Sequence, residues 1–73
     1  MSAAEANALK WLQQHNADGV FDRHNVLMAA GERAPFMYAT WQALCKQGLA
    51  QRYGQNNRRI ALTEQGKAEA QND

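Results

Sequence analysis

The spacing of apolar positions changes several times along the chain, and each change predicts a different element. In "SAAEANALKWLQQHN", Ala4, Ala8, Trp11, Leu12 and His15, with Leu9 beside them, recur at intervals of three and four and lay one stripe along a helix. Ser2 and Glu5 have the spacing of a capping box, in which each side chain satisfies a free N–H of the other. Asn16-Ala17-Asp18-Gly19 stops that helix. Val20-Phe21 is an apolar pair too short for an independent strand, yet able to add a rung to a hairpin. Asp22 is placed to cap a second helix, Arg23 to about Ala30, with Val26, Leu27 and Ala30 inward and Gly31 ending it.

Pro35 suits the first turn of a third helix, residues 34–47, where its missing N–H costs nothing. Met37, Trp41, Leu44 and Cys45 fall on one face of it, and Gly48 ends it. Leu49–Tyr53 and Arg58–Leu62 are short runs that can extend. Between them lie Gly54, Gln55, Asn56 and Asn57, and Gly and Asn tolerate the positive φ of a tight reversal. An antiparallel hairpin follows. Thr63 caps a last short helix through about Gln71. The predicted fold class is mainly α with a small antiparallel β hairpin (α+β), in a single domain over residues 1–73.

Seventy-three residues can bury a core sufficient to fold alone, though not a generous one. No apolar run is long enough to span a membrane, and the start does not read as a signal peptide. The single Cys45 excludes an internal disulfide, so a cytoplasmic location is expected. The formal net charge of +1 promises nothing about nucleic acid, but the distribution of charge does. From Arg33 to Thr63 there are five basic residues (Arg33, Lys46, Arg52, Arg58, Arg59) and no Asp or Glu. The flanks hold Lys10, Arg23 and Lys67 against seven acids. A chain polarised in this way can present one basic face while staying near neutral.

Two strings refine the picture. "LCKQGLAQR" (Leu44–Arg52) is similar to the Leu-x-x-x-Gly-Leu-x-x-Arg end of a recognition helix entering its wing, and "ALTEQGKA" (Ala61–Ala68) to the Leu-Thr-x-x-Gly-Lys/Arg that closes it. With the order of elements, they resemble the winged helix-turn-helix domain of bacterial MarR- and PadR-type regulators. The resemblance implies a three-helix core plus wing and a short C-terminal helix. It also implies duplex-DNA binding as a transcriptional regulator or accessory factor, with helix 34–47 in the major groove and the wing 49–62 on the minor groove or flanking phosphates.

The candidate DNA-binding residues are Arg33, Phe36, Tyr38, Gln42, Lys46, Arg52, Asn56, Asn57, Arg58 and Arg59. Gln42 can read an adenine edge bidentately and Lys46 a guanine or a phosphate. Arg52 lies near enough to bind phosphate, and Arg58 and Arg59 sit at the hairpin's return, where a narrow minor groove attracts arginine. Phe36 and Tyr38 are unusual on a major-groove face. Either the rings fold onto the domain's own core, or they form an exposed aromatic patch. The second option supports an alternative function, a protein–protein interaction module anchored on Phe36 and Tyr38. Single-stranded or structured RNA would use the same basic surface. Pairing of two copies through the first and last helices stays open.

No catalytic constellation is present. His15 and His24 lie nine apart on different elements without a metal-ligand spacing, and Cys45 reads as a small buried hydrophobe. No enzyme activity, metal or cofactor is expected.

Overall fold

The structure, a computed structural model, describes residues 1–71. Its first helix, α1 (Ala3–Gln14), starts from the expected capping box. The Ser2 hydroxyl accepts the Glu5 N–H, and the Glu5 carboxylate accepts the Ser2 N–H. Ala8, Leu9 and Leu12 form its buried stripe. Asn16 and Ala17, both at positive φ, then reverse the chain into β1 (Asp18–Phe21).

The helix expected over Arg23–Ala30 does not form. Asp22 does act as a cap, but of a turn: its carboxylate accepts the N–H groups of His24 and Val26, while its own N–H donates to Val26 O. Asn25 takes φ 61° within that turn. Such side-chain bonds to nearby backbone compete directly with helix formation. The chain instead extends as β2 (Leu27–Ala29), with Leu27 and Ala29 buried and Met28 on the other face, the alternation of a half-buried strand. Ala30 and Gly31 then form a two-residue reversal with both φ positive, as a type I′ hairpin requires, into β3 (Glu32–Arg33).

The second long helix, α2, spans Tyr38–Lys46, shorter than the predicted 34–47. Pro35 precedes it rather than opening it, and Met37 occupies the N-cap position in extended backbone. Met37 was expected inward, yet it is 76% exposed, because it lies outside the helix. Ala34 takes the buried place, anchored by its N–H to Leu27 O. Trp41 and Leu44 are buried as expected, and Cys45 half-buried.

A hairpin follows, β4 (Ala50–Tyr53) and β5 (Arg59–Leu62), joined by a 3₁₀ turn at Gln55–Asn57 with Gly54, Asn56 and Asn57 at positive φ. The last helix is α3 (Glu64–Gln71). The described residues thus form three helices, not a three-helix core plus a fourth, and a five-stranded antiparallel sheet, not a small hairpin. Its order is β3-β2-β1-β5-β4.

Strand register divides the sheet into two faces. Gly19, Phe21, Leu27, Ala29, Ala50, Ile60 and Leu62 point inward, where Leu9, Leu12, Trp41 and Leu44 complete the core. Tyr53, Arg59, Val20, Met28 and Arg33, one from each strand, line up across the outer face. Among the described residues, no helix is long and apolar enough to cross a membrane.

Candidate nucleic-acid interface

A helix that buries Trp41 and Leu44 must turn Ala39, Gln42, Ala43 and Lys46 outward. On that side α2 runs beside β4, because Gly48 (φ 76°) turns the chain sharply back from the helix end. The two elements leave an open groove of about 660 Å³ lined by Ala39, Gln42, Ala43, Cys45, Lys46 and Arg52. Two alanines make its helical wall smooth. Gln42 and Lys46 are exposed, and no carboxylate lines the groove. Burial pushes the Cys45 thiol up from its ordinary range, opposed by the positive charge of Arg52.

Arg52 was expected to reach for phosphate. Its register opposite Ile60 instead turns it toward the inner face, where it is half-buried. Its guanidinium carbon lies 4.5 Å from the Phe21 ring centroid and 5.5 Å from that of Tyr38. Nη1 donates to Tyr38 Oη at 2.8 Å, and Nε to the Asn57 carbonyl at 2.8 Å.

The paired arginines of the hairpin are also engaged. Arg58 donates to the Phe21 and Asp22 carbonyls, closing the hairpin onto the end of β1. Arg59 lies on the outer sheet face, where Nε donates to Tyr53 Oη at 3.0 Å and Nη2 approaches Asp18 at 3.5 Å. These contacts raise the Arg59 pKa above its ordinary value, with the Tyr53 hydrogen bond the largest cause. Tyr53 donates in turn to the Asp18 carboxylate at 2.6 Å. Both arginines remain exposed and keep unused donors, since guanidinium carries five N–H groups.

Phe36 and Tyr38 do not form an exposed patch. Both are half-buried against the core: Phe36 packs edge-on against Trp41 (5.8 Å) and Trp11 (6.4 Å), and Tyr38 edge-on against Phe21 (5.2 Å). Neither ring faces the groove as a stacking platform. Asn56 and Asn57 are exposed at the hairpin tip. Arg33 is exposed on the sheet's far edge strand, at the opposite end of the sheet from β4. The structure therefore brings Gln42, Lys46 and Arg52 together and leaves Arg33 apart from them.

His15 is held by its own surroundings, stacked on Trp11 at 3.8 Å with Nε2 at 3.2 Å from Glu32. Among the described residues, no group of three or more His, Cys, Asp or Glu side chains is placed to hold a metal ion. No family model, curated protein or solved structure matches this chain.

Sequence reasoning missed the Tyr38–Arg52 pair and the Asp18–Tyr53–Arg59 cluster. A signal for the first was present: Ala50 and Arg52 share a face by alternation, so a buried Ala50 implies an inward Arg52. The second depends on strand register alone.

Proposed function

We propose that this chain is a winged-helix domain in which a β-hairpin replaces the first helix of the helix-turn-helix, and that it binds duplex DNA as a small regulator or accessory factor. The observation that carries this reading is the acid-free groove between α2 and β4, with Gln42 and Lys46 on its helical wall. Three features support it. A helix is followed directly by a hairpin whose second strand pairs with β1, the connectivity expected of a recognition helix and wing. The nine residues of α2 are about 13 Å long, a length that a major groove about 12 Å wide can admit end-on or obliquely. The first turn of α2 has no side-chain cap and no acid, which leaves N–H groups for a phosphate.

In this reading Lys46 contacts phosphate or a guanine, Gln42 reads an adenine edge, and the exposed tip at Asn56–Arg58 lies on the flanking backbone. Affinity then rests mainly on backbone contacts, with little sequence preference. This reading is preferred to the protein-module alternative because Phe36 and Tyr38 are half-buried against the core rather than forming an exposed patch.

Titration of a random-sequence duplex at two salt concentrations tests the proposal. Binding should weaken as salt rises, and Lys46→Ala should flatten the log–log slope by about 0.9, the value for one lost phosphate contact. Absence of binding at low salt would overturn it.

A further inference from the structure

The geometry points to Arg52 as a positioning residue, a brace that fixes the hairpin tip relative to the first turn of α2. Its functional consequence rests on the nucleic-acid reading above. Three separate elements meet at this one side chain. Nη1 holds the hydroxyl of Tyr38 at the start of α2, Nε holds the carbonyl of Asn57 at the hairpin tip, and the guanidinium plane covers the Phe21 ring at the end of β1. Phe21 and Tyr38 are themselves in edge-on contact at 5.2 Å, so the cation rests against a fixed aromatic corner.

The tip needs such a tie. Gly54, Asn56 and Asn57 all lie at positive φ. The turn is closed by Asn57 N to Gly54 O and Arg58 N to Gln55 O, and Arg58 O accepts the Phe21 N–H, while the Asn57 carbonyl is held by Arg52. Tyr38 belongs to the helix that forms one wall of the groove, while Arg52 is the wall contributed by β4. The Arg52–Tyr38 bond therefore ties the strand of one wall to the first turn of the helix that forms the other. A lysine could keep the charge but not this arrangement, because one ammonium cannot reproduce a planar fork that bonds in two directions while stacking on a ring. For this reason Arg52 acts through the placement of helix and tip rather than as one more phosphate ligand.

Three variants separate the roles: Arg52→Lys keeps the charge, Arg52→Gln removes it, and Tyr38→Phe removes only the hydroxyl. Amide hydrogen exchange is measured at Asn57 and Arg58 in the free protein, and random-duplex affinity against salt is measured alongside. A brace predicts that Arg52→Lys and Tyr38→Phe both speed exchange at the tip about two- to tenfold, the factor that one hydrogen bond of ordinary net strength implies. It also predicts that Tyr38→Phe weakens DNA binding without altering any charge. Unchanged tip exchange in Tyr38→Phe and Arg52→Lys would overturn the brace, and a salt slope flattened only by Arg52→Gln would then assign Arg52 to phosphate. If the parent binds no DNA, the proposed function fails, while the exchange measurement still decides whether Arg52 braces the tip.

Discussion

Replacing Gly66 by alanine sets two physical effects against each other. Gly66 sits within α3, where alanine is ordinarily worth about 1 kcal/mol more than glycine. On helix propensity alone the substitution should stabilise. Yet Gly66 is buried, and a Cβ built there would lie 1.8 Å from Leu49 O and 2.8 Å from Leu49 C. Both are backbone atoms at the entry to β4, which no rotamer change can move. That same Leu49 carbonyl accepts the Thr63 N–H, and the Thr63 hydroxyl donates to Gly48 O while accepting the Gly66 N–H. To make room, α3 must lift from β4 and loosen this set of bonds. Overpacking costs typically 1–3 kcal/mol, and one or two weakened hydrogen bonds add about 1 kcal/mol each. Net of the propensity gain, Gly66→Ala should destabilise by about 2 kcal/mol, which for a domain of this size lowers the melting midpoint by roughly 8–16 °C. Thermal unfolding followed by circular dichroism measures it, with Gln65→Ala on the exposed side of the same helix as control. An unchanged or raised midpoint for Gly66→Ala would refute the packing argument. The same geometry gives a physical reason for the glycine of the "LTEQG" string.

Other outcomes follow from the same contacts. Trp41, 1% exposed beneath Phe36, should cost about 3–5 kcal/mol on replacement by alanine, enough to unfold much of the population in a urea titration. Arg58→Ala should lower stability by about 1 kcal/mol through its two carbonyl contacts, more than a free surface arginine would; a chemical melt indistinguishable from the parent would contradict this. The N–H of Val26, then that of His24, hold the Asp22 carboxyl below its ordinary value of 3.8. Its stabilisation is therefore present at neutral pH and lost as pH falls through the folded value, below 3.8. Asp22→Asn should flatten that acid limb in melting midpoints taken from about pH 5 to pH 2. Because burial raises the Cys45 thiol pKa, its alkylation at mildly alkaline pH should be slower than that of a free thiol, and slower again with saturating duplex DNA; mass spectrometry reads both rates.

Elements specified by neighbours in sequence were legible in advance. The Ser2–Glu5 box, the Ala8, Leu9 and Leu12 part of the α1 stripe, the pairing of Leu49–Tyr53 with Arg58–Leu62 and the Thr63 cap all rest on short-range spacing. Ala4, expected on that stripe, lies exposed at the first turn. The 23–30 segment was not, because Val26, Leu27 and Ala30 fit a helix while Leu27 and Ala29 fit a strand equally well. Pairing with β1 and the Asp22 turn decide between them. The arginine roles were hidden for a related reason. Arg52 meets Tyr38 fourteen residues away, and Arg58 meets Phe21 thirty-seven away, so only the folded register shows that these cations serve the domain first. Phe36 and Tyr38 pack against the core for the same reason: rings they meet, Trp11 and Phe21, come from α1 and β1.

The central claim is that duplex DNA binds along α2 and the hairpin tip. Mapping backbone amide chemical shifts of the labelled protein as a short random duplex is added tests it most directly. The account predicts that shifts concentrate on Ala39, Gln42, Ala43 and Lys46 and on Gln55–Arg58, and that they shrink as salt is raised. Shifts confined to α1, α3 or the outer sheet row of Val20, Met28 and Arg59, or none at saturating duplex, would contradict it.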